Sequence, residues 1–172
     1  MFIEKVSGRK FEHVVREVIF DPLNMRHTGF DFLHLTSSDK STGHEKVKRR
    51  MQPVIDFDST YAPGCGSMFS SCSDLYKFYK GLYSGAVITD TMRELAFIPR
   101  RWLYGYGWFT YQLYGRKCIS HAGGVPGFVA EMKFFPDEDV FIVLLNNYQH
   151  GNADADKMAG MIFNEKYQRS GL

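Results

Sequence analysis

The hydrophobic period of this chain changes once, near Arg101, and that change restricts its fold more than any other feature. Before it, apolar residues recur at helical spacing. Phe11, Val14, Val15, Val18 and Ile19 fall at i, i+3, i+4, i+7 and i+8, one face of a helix over 11–20. Asp21-Pro22 ends it, because the residue before a proline is pushed out of the helical region. Ser71-Cys72-Ser73-Asp74 fits the capping box that opens helices. Leu75, Phe78, Tyr79 and Leu82 then share a face, with Gly85 beyond the end. Residues 89–97 read as a further short helix stopped before Pro99. At the start, Val6-Ser7-Gly8 reads as a helix end, so the chain is expected to begin inside an element.

After Arg101 the period is two. Strands are expected at 104–113, 117–120, 128–135 and 140–145. In the third, Phe128, Ala130, Met132 and Phe134 alternate with Val129, Glu131, Lys133 and Phe135. Tyr114-Gly115-Arg116 and Pro136-Asp137-Glu138-Asp139 have hairpin length. A last helix over 154–167 places Ala155, Met158, Ala159 and Ile162 on one face. Helices, then short-linked strands, then a helix imply an α+β fold with an antiparallel sheet flanked by helices. Residues 1–172 read as one domain, mainly helical over 1–100 and mainly strands over 101–172. The polar stretch 37–51, with Lys46, Lys48, Arg49 and Arg50, is expected to be a solvated loop and is the only candidate boundary.

Composition narrows the function classes. Of 172 residues, 44% are hydrophobic and 16% aromatic, enough for a core, and the net charge of +2 supplies no field for nucleic acid or anionic lipid. The basic run in 37–51 lacks interleaved aromatics, so no nucleic-acid partner is expected. No apolar run nears the ~18–20 residues of a membrane span, and Met1 to Lys5 lacks the layout of a signal peptide. Cys65, Cys72 and Cys118 cannot all pair within one chain, and three free, partly buried thiols are expected. Cys118-x-x-His121 has half the spacing of a zinc site, but no second half stands in the sequence. No metal or other cofactor is expected.

The densest group of unusual residues is His121-Ala122-Gly123-Gly124-Val125-Pro126-Gly127, between two expected strands. Glycines there let a backbone approach a ligand with its N–H groups outward. A histidine at a strand end can assist proton transfer or bind an anion. The plain alternative is a glycine-rich hairpin with a solvated histidine. A thiol site built from Cys118 and His121 is disfavoured, because residues three apart on a strand point to opposite faces.

Five segments in order resemble those of serine β-lactamase-like and penicillin-binding proteins. They are Asp21-Pro22-Leu23-Asn24-Met25-Arg26-His27-Thr28; then Pro63 to Ser71 with Asp74-Leu75; then Tyr104-Gly105-Tyr106-Gly107-Trp108; then His121-Ala122-Gly123 with Pro126-Gly127-Phe128; then Leu144-Leu145-Asn146-Asn147. The resemblance spans nearly the whole chain. It implies the class C β-lactamase, D-alanyl-D-alanine carboxypeptidase and esterase fold, with three site motifs: S-x-x-K, Y-x-N and K-T-G or H-x-G. His121-Ala122-Gly123 matches the third. By the same match the Gly124 N–H is an oxyanion-hole donor, a group whose loss typically costs ~10²–10³ in rate. Gly123 and, at the end of the next long strand, Asn147 are implied on the substrate side.

The first two motifs are implied to lie upstream of residue 1. Ser7-Gly8-Arg9-Lys10 and Ser37-Ser38-Asp39-Lys40 have the S-x-x-K letters but not the expected buried helix start, and no Y-x-N occurs. The expectation is therefore the C-terminal part of a serine acyl-enzyme, acting on a β-lactam, D-alanyl peptide or ester and inactive alone. The alternative is a non-catalytic binding or assembly module of the same fold. The resemblance implies a periplasmic or envelope location. It further implies that strand 140–145 pairs with N-terminal strands, so that here it meets a separate N-terminal piece or a second copy.

Overall fold

The computed structural model describes residues 2–38, 40–55, 64–148 and 154–167. The chain divides into two compact units, Met1–Lys40 with Ile55–Asp90, and Ser41–Val54 with Thr91–Leu172.

In the first unit, α1 is Phe2–Ser7 and α2 is Phe11–Val15, continued by a π-helical turn over Arg16–Phe20. Gly8 stops α1 at φ 68°. The apolar face of α2 and its extension meets the segment behind Pro22. Val15, Phe20, Met25 and Phe30 form a buried cluster against Phe11, Ile19, Leu23 and Phe78. The helix after the capping box is α3, Cys72–Tyr83, with the Ser71 side chain accepting from the Asp74 backbone N–H. A Cβ on Gly81 would stand 2.5 Å from Leu23 Cδ2, so α3 is seated directly on Leu23.

Asp74 has a larger task than capping. It is fully buried, and its Oδ2 accepts from the His27 N–H at 2.6 Å and from Thr28 Oγ1 at 3.0 Å. Its Oδ1 pairs with Lys77 Nζ at 2.7 Å. Burial pushes the carboxyl up, but Lys77, the His27 N–H and the Thr28 hydroxyl outweigh it and hold the group below the ordinary carboxylate value. Thr28 Oγ1 also meets Ser70 Oγ at 2.8 Å. Two of the five resembling segments are thus one structural knot around a buried carboxylate.

The second unit is a four-stranded antiparallel sheet with a separate hairpin. The hairpin strands are β1, His44–Val47, and β2, Arg50–Pro53. They fall inside the stretch expected to be a solvated loop. A hairpin forms there because polar side chains do not prevent backbone pairing, and Lys48 and Arg49, at φ 46° and 71°, supply the left-handed turn that a tight hairpin needs. Helix α4 is Asp90–Phe97. The sheet is β3, Phe109–Leu113; β4, Arg116–Val125; β5, Phe128–Phe135; and β6, Val140–Asn146, in that spatial order. Tyr114 and Gly115, at φ 53° and 69°, form the β3–β4 turn. Helix α5 is Ala155–Phe163.

Register assigns the faces, because paired residues share one. Ser120, Lys133 and Ile142 stand in one row, with the pairs Tyr111–Cys118 and Phe135–Val140 two residues further along on the same face. This face carries α5: Leu113, Cys118, Phe135 and Ile142 are buried with Ala155 and Ala159. The buried face of α5 is Ala155, Asp156, Ala159 and Gly160, whereas Met158 and Ile162 are exposed. Small residues won because the helix sits close, with the Gly160 Cα facing the Tyr114 hydroxyl, 2.8 Å from where a Cβ would lie. On the opposite face an aromatic row runs Phe97, Trp108, Phe134, Phe141, with centroids 5.8, 4.9 and 5.4 Å apart.

Two strand expectations need correction. Residues 104–108 are not strand: Tyr104 closes a turn on Arg101 and bridges to Phe109, and Gly107 between them has φ 85°, which a strand cannot hold. Conversely β4 continues past Ser120 to Val125. Gly123 and Gly124 are ordinary strand residues, and the turn is Pro126-Gly127 alone, with Gly127 at φ 80° as a type II turn requires. Among the described residues β6 is a sheet edge. Only its far end gains a neighbour, a parallel bridge between His44 and Tyr148.

Candidate functional site

The long strand β4 outruns its neighbour. β3 pairs with β4 from Arg116 to Ser120, while β5 pairs with it from Ile119 to Val125. Residues 121–125 therefore have a partner on one side only among the described residues. Alternation decides which groups face the unpaired side. Leu113 with Arg116, and Val125 with Phe128, close two-residue turns, and such closing pairs exchange hydrogen bonds. Even-numbered residues of β4 thus aim their N–H and C=O groups away from β5. For Ala122 and Gly124 that side is the open one, and both are exposed. Gly123 offers space instead: a Cβ there would meet nothing within 4 Å.

His121 stands at the start of this open edge, half-buried and across from Met132. Its Nε2 lies 3.1 Å from the Tyr104 hydroxyl. Tyr104 packs edge-on against Phe109 at 4.6 Å between centroids. Sequence reading placed Tyr104 in a strand and missed this contact; the only available signal was its place in the Tyr104-Gly105-Tyr106-Gly107-Trp108 segment. His121, Gly123 and Gly124 are brought together on one strand, whose open edge can offer a ligand a ring nitrogen from His121 and the N–H groups of Ala122 and Gly124.

Asn147 is placed differently. It follows β6, two strands from Gly124, a separation of roughly 10 Å. Its Nδ2 donates to the Thr42 carbonyl at 2.9 Å, and its own carbonyl accepts from the His44 N–H at 2.8 Å. These bonds fasten the β1–β2 hairpin to the end of the sheet that bears the β4–β5 turn. There the Gly127 backbone lies against the Gly43 backbone and the Val54 side chain.

Neither S-x-x-K string makes a nucleophile and base one helical turn apart. Ser7 is the last residue of α1, its hydroxyl is bonded to the Arg9 backbone, and Gly8 breaks the helix before Lys10. In the second string Asp39 lies outside the described residues, and Lys40 Nζ is committed to the Leu33 carbonyl at 3.1 Å and to the Phe32 ring. Cys65 and Cys72 are exposed and Cys118 is buried, which corrects the expectation of three partly buried thiols. Burial pushes the Cys118 thiol up to about 11, so at neutral pH it is no thiolate. Among the described residues there is no cluster of metal-ligating side chains, and no helix is long and apolar enough to cross a membrane.

Comparison with known proteins gives one consistent answer. A profile of the Beta-lactamase family matches residues 1–165. PbpX of Bacillus subtilis (strain 168), provisionally named a penicillin-binding protein, is 27% identical over 169 residues, covering 96% of this chain and 40% of its own. Penicillin-binding protein 4* of the same organism is 25% identical, covering 86% of this chain and 37% of its own. This chain therefore spans about two fifths of the length of these relatives. Among solved structures, the octameric penicillin-binding protein homologue from Pyrococcus abyssi superposes with a TM-score of 0.80 at 23% identity, over 95% of this chain and 40% of that one.

Proposed function

This chain belongs to the β-lactamase family, and from that premise we propose that it carries one wall of a serine acyl-transfer site. In this reading the Gly124 N–H, on the open side of β4, donates to the carbonyl of a β-lactam, D-alanyl peptide or ester. His121 binds the substrate carboxylate or relays a proton, and Gly123 leaves room for the acyl chain. Asn147 acts indirectly, by anchoring the hairpin beside the β4–β5 turn. The observation that carries the reading is the stretch of β4 at the H-x-G position that has a strand partner on one side only among the described residues: in this reading its free N–H groups are fixed donors to an acyl oxygen as charge develops there, the largest single term in such catalysis.

The nucleophile and its base come from outside these 172 residues. The geometry at Ser7 and Lys40 supports this, since neither string forms the paired hydroxyl and amine that acylation needs. By itself the chain binds without turning over. Incubation with a fluorescent penicillin followed by denaturing electrophoresis is expected to leave no covalent label. A labelled band, mapped by mass spectrometry to any serine of this chain, contradicts the assignment.

A further inference from the structure

We infer that Tyr104 is a positioning residue for His121: its hydroxyl donates to Nε2, which fixes the ring proton on Nδ1 and leaves that N–H for a ligand. The inference deepens the reading of His121 as a ligand-binding group and rests on it.

Three observations converge. The first is the bond itself, Oη to Nε2 at 3.1 Å. A phenol hydroxyl can donate or accept, while neutral imidazole has one donor and one acceptor nitrogen. Among the described residues the Tyr104 hydroxyl has this partner only, so a half-buried donor is satisfied when Nε2 accepts. The second is that His121 Nδ1 has no partner among the described residues. It is the nitrogen left for a ligand, and in the neutral ring it is then a donor, suited to a carbonyl or carboxylate oxygen.

The third is the backbone that delivers Tyr104. Trp102 and Leu103 are consecutive non-glycine residues in the left-handed region, at φ 51° and 65°, an arrangement that costs about 1–2 kcal/mol per residue. Trp102 is 80% exposed and Leu103 47%, so burial does not explain the conformation. Its effect is to fold the chain back at Tyr104, whose N–H donates to the Arg101 carbonyl and whose carbonyl accepts from the Arg100 N–H, both at 2.8 Å. Gly105 follows, with the Ala96 carbonyl oxygen 2.3 Å from where its Cβ would stand. The same two-residue left-handed turn joins β1 to β2 at Lys48 and Arg49; here it closes between Arg101 and Tyr104. The side chain it holds here is the one on His121.

The test is long-range ¹H–¹⁵N correlation of the histidine rings in the whole chain at a pH where His121 is neutral, with His121→Gln giving the assignment. The wild type is expected to show one tautomer at His121, pyrrole-type at Nδ1 and pyridine-type at Nε2. Tyr104→Phe keeps the ring against Phe109 and removes only the hydroxyl; His121 is expected to move toward the Nε2–H tautomer of free histidine, with the other five rings unchanged. A proton on Nε2 in the wild type overturns the inference, and so does an unmoved His121 spectrum in a folded Tyr104→Phe. Should that variant not fold, the wild-type spectrum alone decides. Failure of the parent reading appears elsewhere, as a site that binds no acyl ligand, and leaves the tautomer result standing.

Discussion

Lys133→Met is expected to destabilise the second unit by about 3–5 kcal/mol, the range for removing one partner of a buried ion pair. Lys133 is 2% exposed, at the centre of the sheet face that carries α5. Its ammonium lies 2.9 Å from Glu131 Oε1, 2.9 Å from Asp156 Oδ1 and 2.9 Å from the Tyr111 hydroxyl. Glu131 reaches the first turn of α5 again through the Ala155 N–H. The cation therefore ties β3, β5 and α5 together, and its loss strands two carboxylates in a poorly solvated place. For a chain of this length the loss amounts to roughly 2–4 °C of melting temperature per kcal/mol, or about 10 °C in all. Replacing Glu131 and Asp156 by leucine in the same variant is expected to recover most of the deficit, because an apolar set of similar volume needs no counter-charge. An unchanged melting temperature in Lys133→Met contradicts the account.

The same cluster sets an alkaline limit. Burial alone would depress the Lys133 ammonium, but the Tyr111 hydroxyl, Glu131 and Asp156 outweigh it, so the folded chain holds this proton above the ordinary lysine value of 10.5. The unfolded chain releases it first as pH rises. The stabilisation is thus complete below about pH 10.5 and is lost as pH climbs toward the folded value. Tyr111 and Cys118 are likewise raised, chiefly by burial, and add to the loss in the same direction.

Gly127→Ala is expected to destabilise the second unit by about 2–5 kcal/mol when the left-handed and overpacking costs are combined. Gly127 sits at φ 80°, and an added Cβ would stand 2.4 Å from Val54 Cγ2 and 2.9 Å from the Gly43 Cα. Gly115→Ala is the control. It has a similar φ of 69° with nothing within 4 Å, so only the left-handed cost, about 1–2 kcal/mol, applies. Equal melting temperatures for the two variants would show that the β1–β2 hairpin does not press on the β4–β5 turn.

The helices and strands were legible where a single physical signal dominated. The capping serine, the proline stop after Asp21 and the alternation of 128–135 each gave an element close to the observed one. The errors came where tertiary contact or backbone conformation overrode a local pattern. Met158 and Ile162 looked like a core face, but the close approach of α5 to Tyr114 selected Ala159 and Gly160. Gly123-Gly124 looked like a turn, yet both residues continue β4 because β5 pairs with them. The ordered motifs identified the family, and two of them proved to be architecture around Asp74. What no pattern could give was the Tyr104–His121 contact, which depends on left-handed conformations at two residues that ordinarily avoid them.

On the proposed function, the edge of β4 left open among the described residues bears the ligand. A ¹H–¹⁵N titration of the chain with an acyl-D-alanyl-D-alanine peptide tests it directly. The amides of Ala122 and Gly124 are expected to shift together with the His121 ring, saturating along one curve, while Gly123, whose N–H faces β5, moves less. Shifts confined to other strands, or a Gly124 amide unmoved up to the solubility limit of the peptide, would contradict it.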